Sequence, residues 1–372
     1  MRLTAHSLTK GTRCAVGGPR PVRVAGAGRL RRTVGDRRRV LGIGAAVAGA
    51  LLTAAVLVGA CDAAAKPGPP PKVFAFVSRL DGAELTRLER VGARIDVVAP
   101  NWYSLDPGSG LLKAPIRGDA DALLQTARRH RVSVWPTVNA LTGGSAAWTP
   151  VEARARIVAS LRAAALGPGA AGVTLDMEEL RPAQREAFSA LIAEAAASLH
   201  EVDRKLAVYV PRPGPGEGAS YDWRTIARHA DLLLASGYNE HWAGGRPGPV
   251  TTADGFERVT DRALRLAGSR KAVPTLGAFG YRWPRSGRGQ LISSTDALAL
   301  RGKRRHTRDD GAERFRVGGD TVVYETAAGL RARVRAARAA GARWIGLFSL
   351  GREPAHFWEG LPTARGAARG SE

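Results

Sequence analysis

The sequence predicts a closed (β/α)8 barrel with a small insertion between its seventh and eighth strands, and three observations support this fold class. From Lys72 onward, short apolar runs alternate with longer segments of helical periodicity, as in repeated parallel β/α units. Eight such runs occur over roughly 290 residues, which fits a barrel better than an open sheet. No G-x-G-x-x-G or P-loop motif follows any of them, so a nucleotide-binding sheet is disfavoured.

The predicted strands are near-continuous apolar runs, as expected of strands buried on both faces of a parallel sheet. In chain order they are residues 73–77, 95–100, 132–138, 172–177, 206–210, 232–238, 272–279 and 344–350. The predicted helices between most of them are residues 83–90, 119–130, 150–165, 182–200, 253–267 and 327–340.

The longest interruption of this alternation lies between strands seven and eight, from about residue 282 to 321. It is rich in Gly and Arg, and it ends at Val322, Val323 and Tyr324. We interpret it as an inserted loop or small subdomain. The barrel with this insertion is expected to occupy residues 72–362, followed by a flexible tail over residues 363–372.

Composition limits the kinds of protein that this chain can be. Its 372 residues are 44% hydrophobic and 24% charged, with two cysteines, which excludes disordered, collagenous and disulfide-scaffold classes. The net charge is +23, but residues 1–60 hold 11 Lys or Arg and one acid and so account for ten of these charges. No basic stripe is interleaved with aromatic residues, so a nucleic-acid partner is not expected.

The amino-terminal segment has the pattern of an export signal. Arg37, Arg38 and Arg39 end a basic stretch, and residues 40–60 then carry no charge before Cys61. A basic region followed by an apolar region and small residues is typical of secretion signals, and the arginine pair resembles a twin-arginine signal. The alternative is an uncleaved membrane anchor, because 21 residues are long enough to span a bilayer.

The residues around Cys61 favour a lipoprotein. Val58-Gly59-Ala60-Cys61 resembles a bacterial lipobox, which predicts a lipid attached to Cys61 after residues 1–61 have served as an export signal. Residues 62–71 are rich in proline and are expected to form a stiff tether. We therefore expect an exported, membrane-anchored protein at the cell surface.

The fourth predicted strand ends in residues suited to acid–base chemistry. Side chains of a strand alternate between its faces, so Asp176 and Glu178 share one face while Met177 points to the other. Two carboxyl groups held close together cannot both ionise freely, so one of them should keep its proton near neutral pH. A protonated acid beside an anion can cleave an acetal. The alternative is that these acids favour the amino terminus of a following helix.

Four segments together resemble glycoside hydrolase family 18, the chitinase family. Residues 171–178 read A-G-V-T-L-D-M-E and resemble its D-G-x-x-x-D-x-E strand. Residues 234–245 are similar to the M-x-Y-D-x-H-W-x-G-G segment of spore-cortex and cell-wall members. Residues 345–351 resemble the strand-eight segment G-x-x-x-W-x-L-G, and residues 322–325 resemble the V-W-F-E-D stretch before the last helix.

This resemblance implies a mechanism in which the acetamido group of the substrate is the nucleophile, an exception to the two-carboxylate scheme. It implies that Glu178 is the general acid and base, that Asp176 orients the acetamido group, and that Tyr238 donates a hydrogen bond to it. No metal or organic cofactor is expected.

Four residues depart from the family pattern. Ala171 replaces the first Asp of the strand-four motif, and Thr174 replaces a further Asp of chitinases, although its hydroxyl could bond to Asp176. Asn239 replaces the Asp after Tyr238, and Phe348 replaces the Trp beneath the reacting sugar. We interpret these changes as those of a slow or specialised hydrolase.

Further candidates for substrate binding follow from aromatic and polar residues near strand ends. Aromatic rings at these positions can stack on sugars, whereas the alternative is ordinary packing or shaping of loops. The candidates are Trp102, Tyr103, Thr174, Asn239, Glu240, Trp242 and Phe348.

The leading prediction is a monomeric, exported hydrolase of β-1,4 bonds in glycans that contain N-acetylglucosamine, such as peptidoglycan or chitin-like polymers. The alternative is a catalytically impaired glycan-binding protein on the same barrel. A third possibility, a wall scaffold that holds acidic polymers, has the least support from individual residues.

Overall fold

The structure is a computed structural model that describes residues 69–79, 82–113, 119–354 and 356–365. Its strands are β1 (Lys72–Val77), β2 (Val97–Pro100), β3 (Tyr103–Asp106), β4 (Leu111–Leu112), β5 (Ser133–Val134), β6 (Thr137–Leu141), β7 (Gly172–Glu178), β8 (Lys205–Val210), β9 (Leu232–Ser236), β10 (Ala272–Gly277), β11 (Phe279–Trp283), β12 (Gln290–Ser293), β13 (His306–Asp309), β14 (Ala312–Val317), β15 (Asp320–Glu325) and β16 (Trp344–Phe348).

The α-helices are α1 (Gly82–Val91), α2 (Ala120–His130), α3 (Val151–Ala165), α4 (Arg185–His200), α5 (Trp223–His229), α6 (Ala253–Lys271), α7 (Ser294–Arg301) and α8 (Ala327–Ala339). Short 3-10 helices lie at Gly92–Arg94, Pro182–Gln184 and Gly216–Ser220.

Parallel strands close into an eight-stranded barrel. The second barrel strand consists of β2 and β3, and the third consists of β5 and β6. β6 through β10 then pair with one another in chain order. β16 pairs with both β10 and β1, so the last strand completes the ring and leaves no open edge.

Large apolar side chains pack the barrel interior. Phe74, Phe76 and Trp135 belong to one interior cluster, in which the Phe74 ring centroid lies 5.4 Å from that of Phe76 and 6.2 Å from that of Trp135, edge-on in both pairs. Helices cover the outside, where apolar residues of strands and helices form two further clusters. Burial of this apolar surface stabilises the barrel and leaves its carboxyl-terminal end for polar residues.

The insertion between β10 and β16 is a five-stranded antiparallel sheet with one helix. Its strand order is β12-β11-β15-β14-β13, and α7 packs against it with Ala297, Phe315 and Tyr324 buried between them. The predicted (β/α)8 barrel with an insertion is confirmed, but the inserted segment is a sheet that begins at Phe279, earlier than the sequence indicated.

Most predicted elements agree with the structure to within a few residues. α5 was not predicted; its buried residues Trp223, Ile226 and Ala227 have helical spacing, but seven residues are about two turns, too short for the period to repeat. None of the described helices is long and apolar enough to cross a membrane. The predicted export signal with Cys61, most of the tether and residues 366–372 lie outside the described residues, so the predicted domain boundaries remain predictions.

Candidate active site

Strand β7 delivers the two predicted carboxyl groups to the barrel mouth. Val173, Leu175 and Met177 face outward and are fully buried against helices. The opposite face therefore carries Asp176 and Glu178, which line a cavity of about 200 Å³ at the carboxyl-terminal end of the barrel. The alternation expected from the sequence thus places both acids in one site.

Asp176 is held by a side chain from the adjacent strand. Asn139 stands opposite Asp176 in the β6–β7 register, and its amide Nδ2 donates to Asp176 Oδ2 at 3.4 Å. Asp176 Oδ1 accepts no hydrogen bond from the described residues. The hydroxyl of Thr174 donates to the carbonyl of Trp135 at 3.2 Å, so the hydrogen bond from Thr174 to Asp176 that the sequence allowed is not formed.

Burial raises the pKa of both carboxyl groups. Loss of hydration raises the pKa of Asp176 to about 7, against a smaller lowering by the Asn139 amide. Burial, followed by the negative charges of Asp176 and Glu217, raises the pKa of Glu178 to about 8. Because each ionised group opposes ionisation of the other, the pair keeps at least one proton at neutral pH.

Aromatic rings form the wall beside these acids. The Tyr238 ring stacks on Phe348 with centroids 5.4 Å apart and an interplanar angle of 20°, and Phe279 meets Tyr238 edge-on at 5.9 Å. Both Tyr238 and Phe348 line the cavity that contains Asp176 and Glu178. The structure therefore brings all three predicted catalytic residues together.

A second, more open cavity of about 610 Å³ adjoins the first. The two cavities share Glu178, Tyr209, Tyr238, Asn239 and Tyr281. Glu178 thus lies where the cavities meet. A chain-like ligand that occupied both of them would place one of its linkages beside this carboxyl group.

The architecture matches solved glycosidases. A chitinase from Chromobacterium violaceum has a TM-score of 0.69 and 25% identity, covering 77% of this chain and 96% of its own. The spore cortex-lytic enzyme SleL of Bacillus megaterium has a TM-score of 0.68 and 18% identity, covering 78% and 73%. The uncharacterised glycosylase YvbX of Bacillus subtilis is 22% identical over 206 residues. The resemblance to glycoside hydrolase family 18 is confirmed.

The match to curated sequences is partial. The YvbX alignment covers 51% of this chain and 60% of that protein, so this chain spans less than two thirds of that relative's length. No established family profile matches the sequence. The family 18 likeness therefore rests on the barrel and on distant sequence similarity.

Other predicted site residues of this family 18-like barrel also line the cavities. Trp242 is 45% exposed, lines the larger cavity and has the Arg288 guanidinium 5.2 Å above its ring. Asn239 has a positive φ of 63° and accepts a hydrogen bond from the Tyr281 hydroxyl at 3.3 Å. Trp242 and Asn239 are thus accessible to a ligand in the larger cavity.

Four predicted binding residues line neither cavity, and Thr174, which is fully buried, is one of them. Trp102 is 7% exposed and belongs to the cluster between strands and helices, and Tyr103 packs against the same cluster. The Glu240 carboxylate pairs with Arg212 at 2.9 Å and accepts from the Thr252 amide at 2.9 Å, which holds down its pKa despite burial. Trp102 and Tyr103 therefore pack in the core, and Glu240 fixes a loop.

Tyr209 was not singled out by the sequence, yet it lines both cavities. It follows Ala207 on the inward face of β8, and hydrogen bonds join its side chain to Ser236 and Tyr238. Burial, together with the charges of Glu178 and Asp176, raises the pKa of its hydroxyl far above the usual value. The Tyr209 phenol is therefore a neutral hydrogen-bonding group next to the acids.

Glu217 also joins the site unexpectedly. Its Oε1 accepts hydrogen bonds from the Tyr221 hydroxyl at 3.1 Å and from the Glu179 amide at 2.5 Å. Its charge contributes to the raised pKa of Asp176 and of Glu178. Among the described residues, no group of three or more His, Cys, Asp or Glu could hold a metal ion.

We expect the stability of the protein to fall as pH rises from about 5 to about 9. The folded-state pKa values of Asp176 and Glu178, about 7 and about 8, exceed the ordinary values of 3.8 and 4.5. Between these limits the folded state holds protons that the unfolded state has released, so rising pH favours unfolding. Thermal unfolding across this range should show a smaller loss of Tm for the D176N/E178Q double variant. An equal loss in both proteins would contradict the assigned pKa shifts.

Proposed function

We propose that this chain is a glycosidase that cleaves β-1,4 bonds of a glycan containing N-acetylglucosamine, with the substrate's acetamido group as nucleophile. The observation that carries this proposal is the Asp176–Glu178 pair, whose pKa values are raised by burial and which lies beside Tyr238 where two cavities meet. A proton-bearing acid at the midpoint of an elongated cleft suits cleavage within a polymer.

In the first step Glu178 transfers its proton to the glycosidic oxygen, and the bond from that oxygen to the anomeric carbon breaks. The acetamido oxygen forms a bond to the anomeric carbon, giving an oxazolinium ion. The ionised carboxylate of Asp176 stabilises the positive charge of the oxazolinium ion, and the Tyr238 hydroxyl donates a hydrogen bond to the acetamido oxygen. The Glu178 carboxylate then takes a proton from a water molecule, whose oxygen attacks the anomeric carbon. The bond from this carbon to the acetamido oxygen breaks, which frees the acetamido group and restores the original configuration.

Two departures from the family pattern have defined positions. Ala171 immediately precedes β7, at the opposite end of that strand from Asp176, so its side chain does not belong to the acid pair. Phe348 retains an aromatic surface against Tyr238 but offers less stacking area than Trp. Both positions support slow turnover more than complete loss of catalysis.

The substrate that we favour is cell-wall glycan, since we also propose export and anchoring through Cys61. The protein would then remain beside that polymer. The alternative function is glycan binding without cleavage. One observation favours it: the Tyr238 hydroxyl bonds to Tyr209 and must exchange this partner before it can donate to a substrate.

The proposal is tested by incubating the full chain with peptidoglycan and with N-acetylglucosamine oligomers. New reducing ends should appear, and nuclear magnetic resonance of the first product should show the β-anomer, because two displacements restore the configuration. Release of the α-anomer would overturn the acetamido mechanism. Binding to the glycan with no new reducing ends would instead support the glycan-binding alternative.

Binding across the larger cavity predicts a role for Trp242. Replacing Trp242 by Ala should weaken glycan affinity about tenfold, because stacking on an exposed aromatic ring contributes roughly 1–1.5 kcal/mol. Trp358 is buried and lines neither cavity, so a W358F variant serves as the control for loss of a Trp. Unchanged affinity in W242A, measured by calorimetry with an oligomer, would remove Trp242 from the binding cleft.

A further inference from the structure

Four arginines surround a cavity of about 450 Å³ formed by the 3-10 helix before β2, by helix α8 and by residues 360–363. The arginines are Arg94, Arg331, Arg335 and Arg338. We propose that this cavity, called here the arginine pocket, binds the phosphate group of an anionic lipid and thereby holds the catalytic mouth away from the membrane. The inference builds on the proposed function and on the proposed anchor.

The arginine pocket lies at the end of the barrel opposite the acids. Arg94 ends the 3-10 helix that leads into β2, so it stands near the amino end of a strand. Arg335 and Arg338 lie in the last turns of α8, which returns the chain to the amino end of β16. Asp176 and Glu178 close the carboxyl end of β7, so pocket and active site occupy opposite ends of the barrel.

The lining of the arginine pocket suits an oxyanion. The described residues that line it include no Asp or Glu. Arg94 donates to the Leu361 carbonyl at 3.2 Å and Arg331 donates to the His356 carbonyl, and each of these contacts uses one of five guanidinium N–H donors. Arginine forks bind phosphate oxygens in pairs, so the other donors of Arg94 and Arg331 suit a phosphate group.

The surface around the arginine pocket is also positively charged. Lys72, Arg131 and Arg343 are exposed at the amino ends of the first, third and eighth barrel strands. The nearby Glu359 is paired with His356 at 2.7 Å. Each basic residue near an anionic membrane surface adds electrostatic attraction, so a basic face around the arginine pocket favours a charged lipid surface over a single free ion.

The chain passes the arginine pocket just before it enters the first barrel strand. The Ala364 amide donates to the Pro71 carbonyl at 3.0 Å, directly after the pocket residue Thr363. The segment that precedes β1 therefore passes the pocket.

The test measures binding of soluble short-chain lipids to the full chain in non-ionic detergent. Dihexanoyl phosphatidylglycerol is the probe, and dihexanoyl phosphatidylcholine and inorganic phosphate are compared with it by calorimetry. We expect the phosphatidylglycerol to bind and the R335A/R338A variant to bind it at least about tenfold more weakly. The R224A/R228A variant removes two arginines from α5, across the barrel, and should bind like the original protein.

Three results would overturn the proposal: equal binding of phosphatidylglycerol by R335A/R338A, equal binding of phosphatidylcholine, or equally tight binding of inorganic phosphate, which would make the arginine pocket a free-phosphate site. Hydrolysis of soluble oligomers by R335A/R338A should remain unchanged. Lipid binding is measured without glycan, so failure of the proposed hydrolase activity would leave this result standing, and the reverse also holds.

Discussion

Replacing Glu178 by Gln is expected to lower the rate of glycan cleavage by about 100- to 10,000-fold, the usual range for removal of a general acid. The reason is that Gln keeps the size and polarity of the side chain but has no proton to transfer to the glycosidic oxygen. The Glu178 side chain lines both cavities, whereas Asp176 lines the smaller cavity alone. Release of reducing ends from N-acetylglucosamine oligomers measures the loss.

The matched control is E186Q, which changes an exposed Glu of α4 close in sequence. It should cleave at the original rate. Glycan affinity of E178Q should persist, since the stacking surfaces of Phe348 and Trp242 are unaltered. Cleavage by E178Q at the original rate would reject Glu178 as the acid and, with it, the proposed mechanism.

The acid pair could be predicted from sequence because strand side chains alternate strictly. The spacing of Asp176 and Glu178 alone puts both on one face of the strand. The apolar Met177 lies on the other face, which indicates that this other face is the one buried against helices. Alternation did not locate Tyr238, which was predicted from the resemblance of its segment to a family segment. Local periodicity was sufficient within β7, where a single strand supplies the geometry.

Neighbouring strands add residues that the sequence did not reveal. Asn139 meets Asp176 because β6 and β7 pair in one particular register, and Tyr209 reaches the acids from β8. A shift of one residue in either register would point these side chains to the other face. Register between parallel strands depends on the packing of the whole barrel, so neither residue carried a local signal.

The directions of two tryptophan side chains also could not be predicted from the sequence. Trp102 and Trp242 both follow strand ends and both were expected in the cleft. Trp102 lies between β2 and β3, where the barrel strand is interrupted, and its ring turns outward to the helices. Trp242 lies on a loop beyond β9 and stays exposed. The direction of a side chain after a strand break does not follow from the pattern of the strand.

The two edge strands of the inserted sheet, β12 and β13, escaped prediction because they lack an apolar face that the sequence could display. All four residues of β13 are exposed, and two of the four residues of β12 are exposed as well. Their backbone pairing with β14 and β11 holds them in place. Strands stabilised mainly by pairing at a sheet edge give a weak hydrophobic period.

Replacing Asp176 by Asn should lower the rate of cleavage by about 100- to 1,000-fold, as expected for loss of one electrostatic contact to the charged intermediate. It should also change the shape of the pH profile. In the original protein, activity needs an ionised Asp176 and a protonated Glu178, so kcat/KM should rise as Asp176 ionises near its pKa of about 7. It should fall as Glu178 loses its proton near its pKa of about 8.

The D176N variant should lose the acid-side rise, because Asn does not titrate. Its alkaline fall should move to lower pH, since the charge of Asp176 is one of the causes that raise the pKa of Glu178 and its removal makes Glu178 a stronger acid. The D254N variant, altered in the exposed first turn of α6, should keep the two-sided profile. An alkaline limb that stays in place or moves to higher pH in D176N would show that Asp176 does not hold the proton on Glu178, and the acid pair would then lose its assigned coupling.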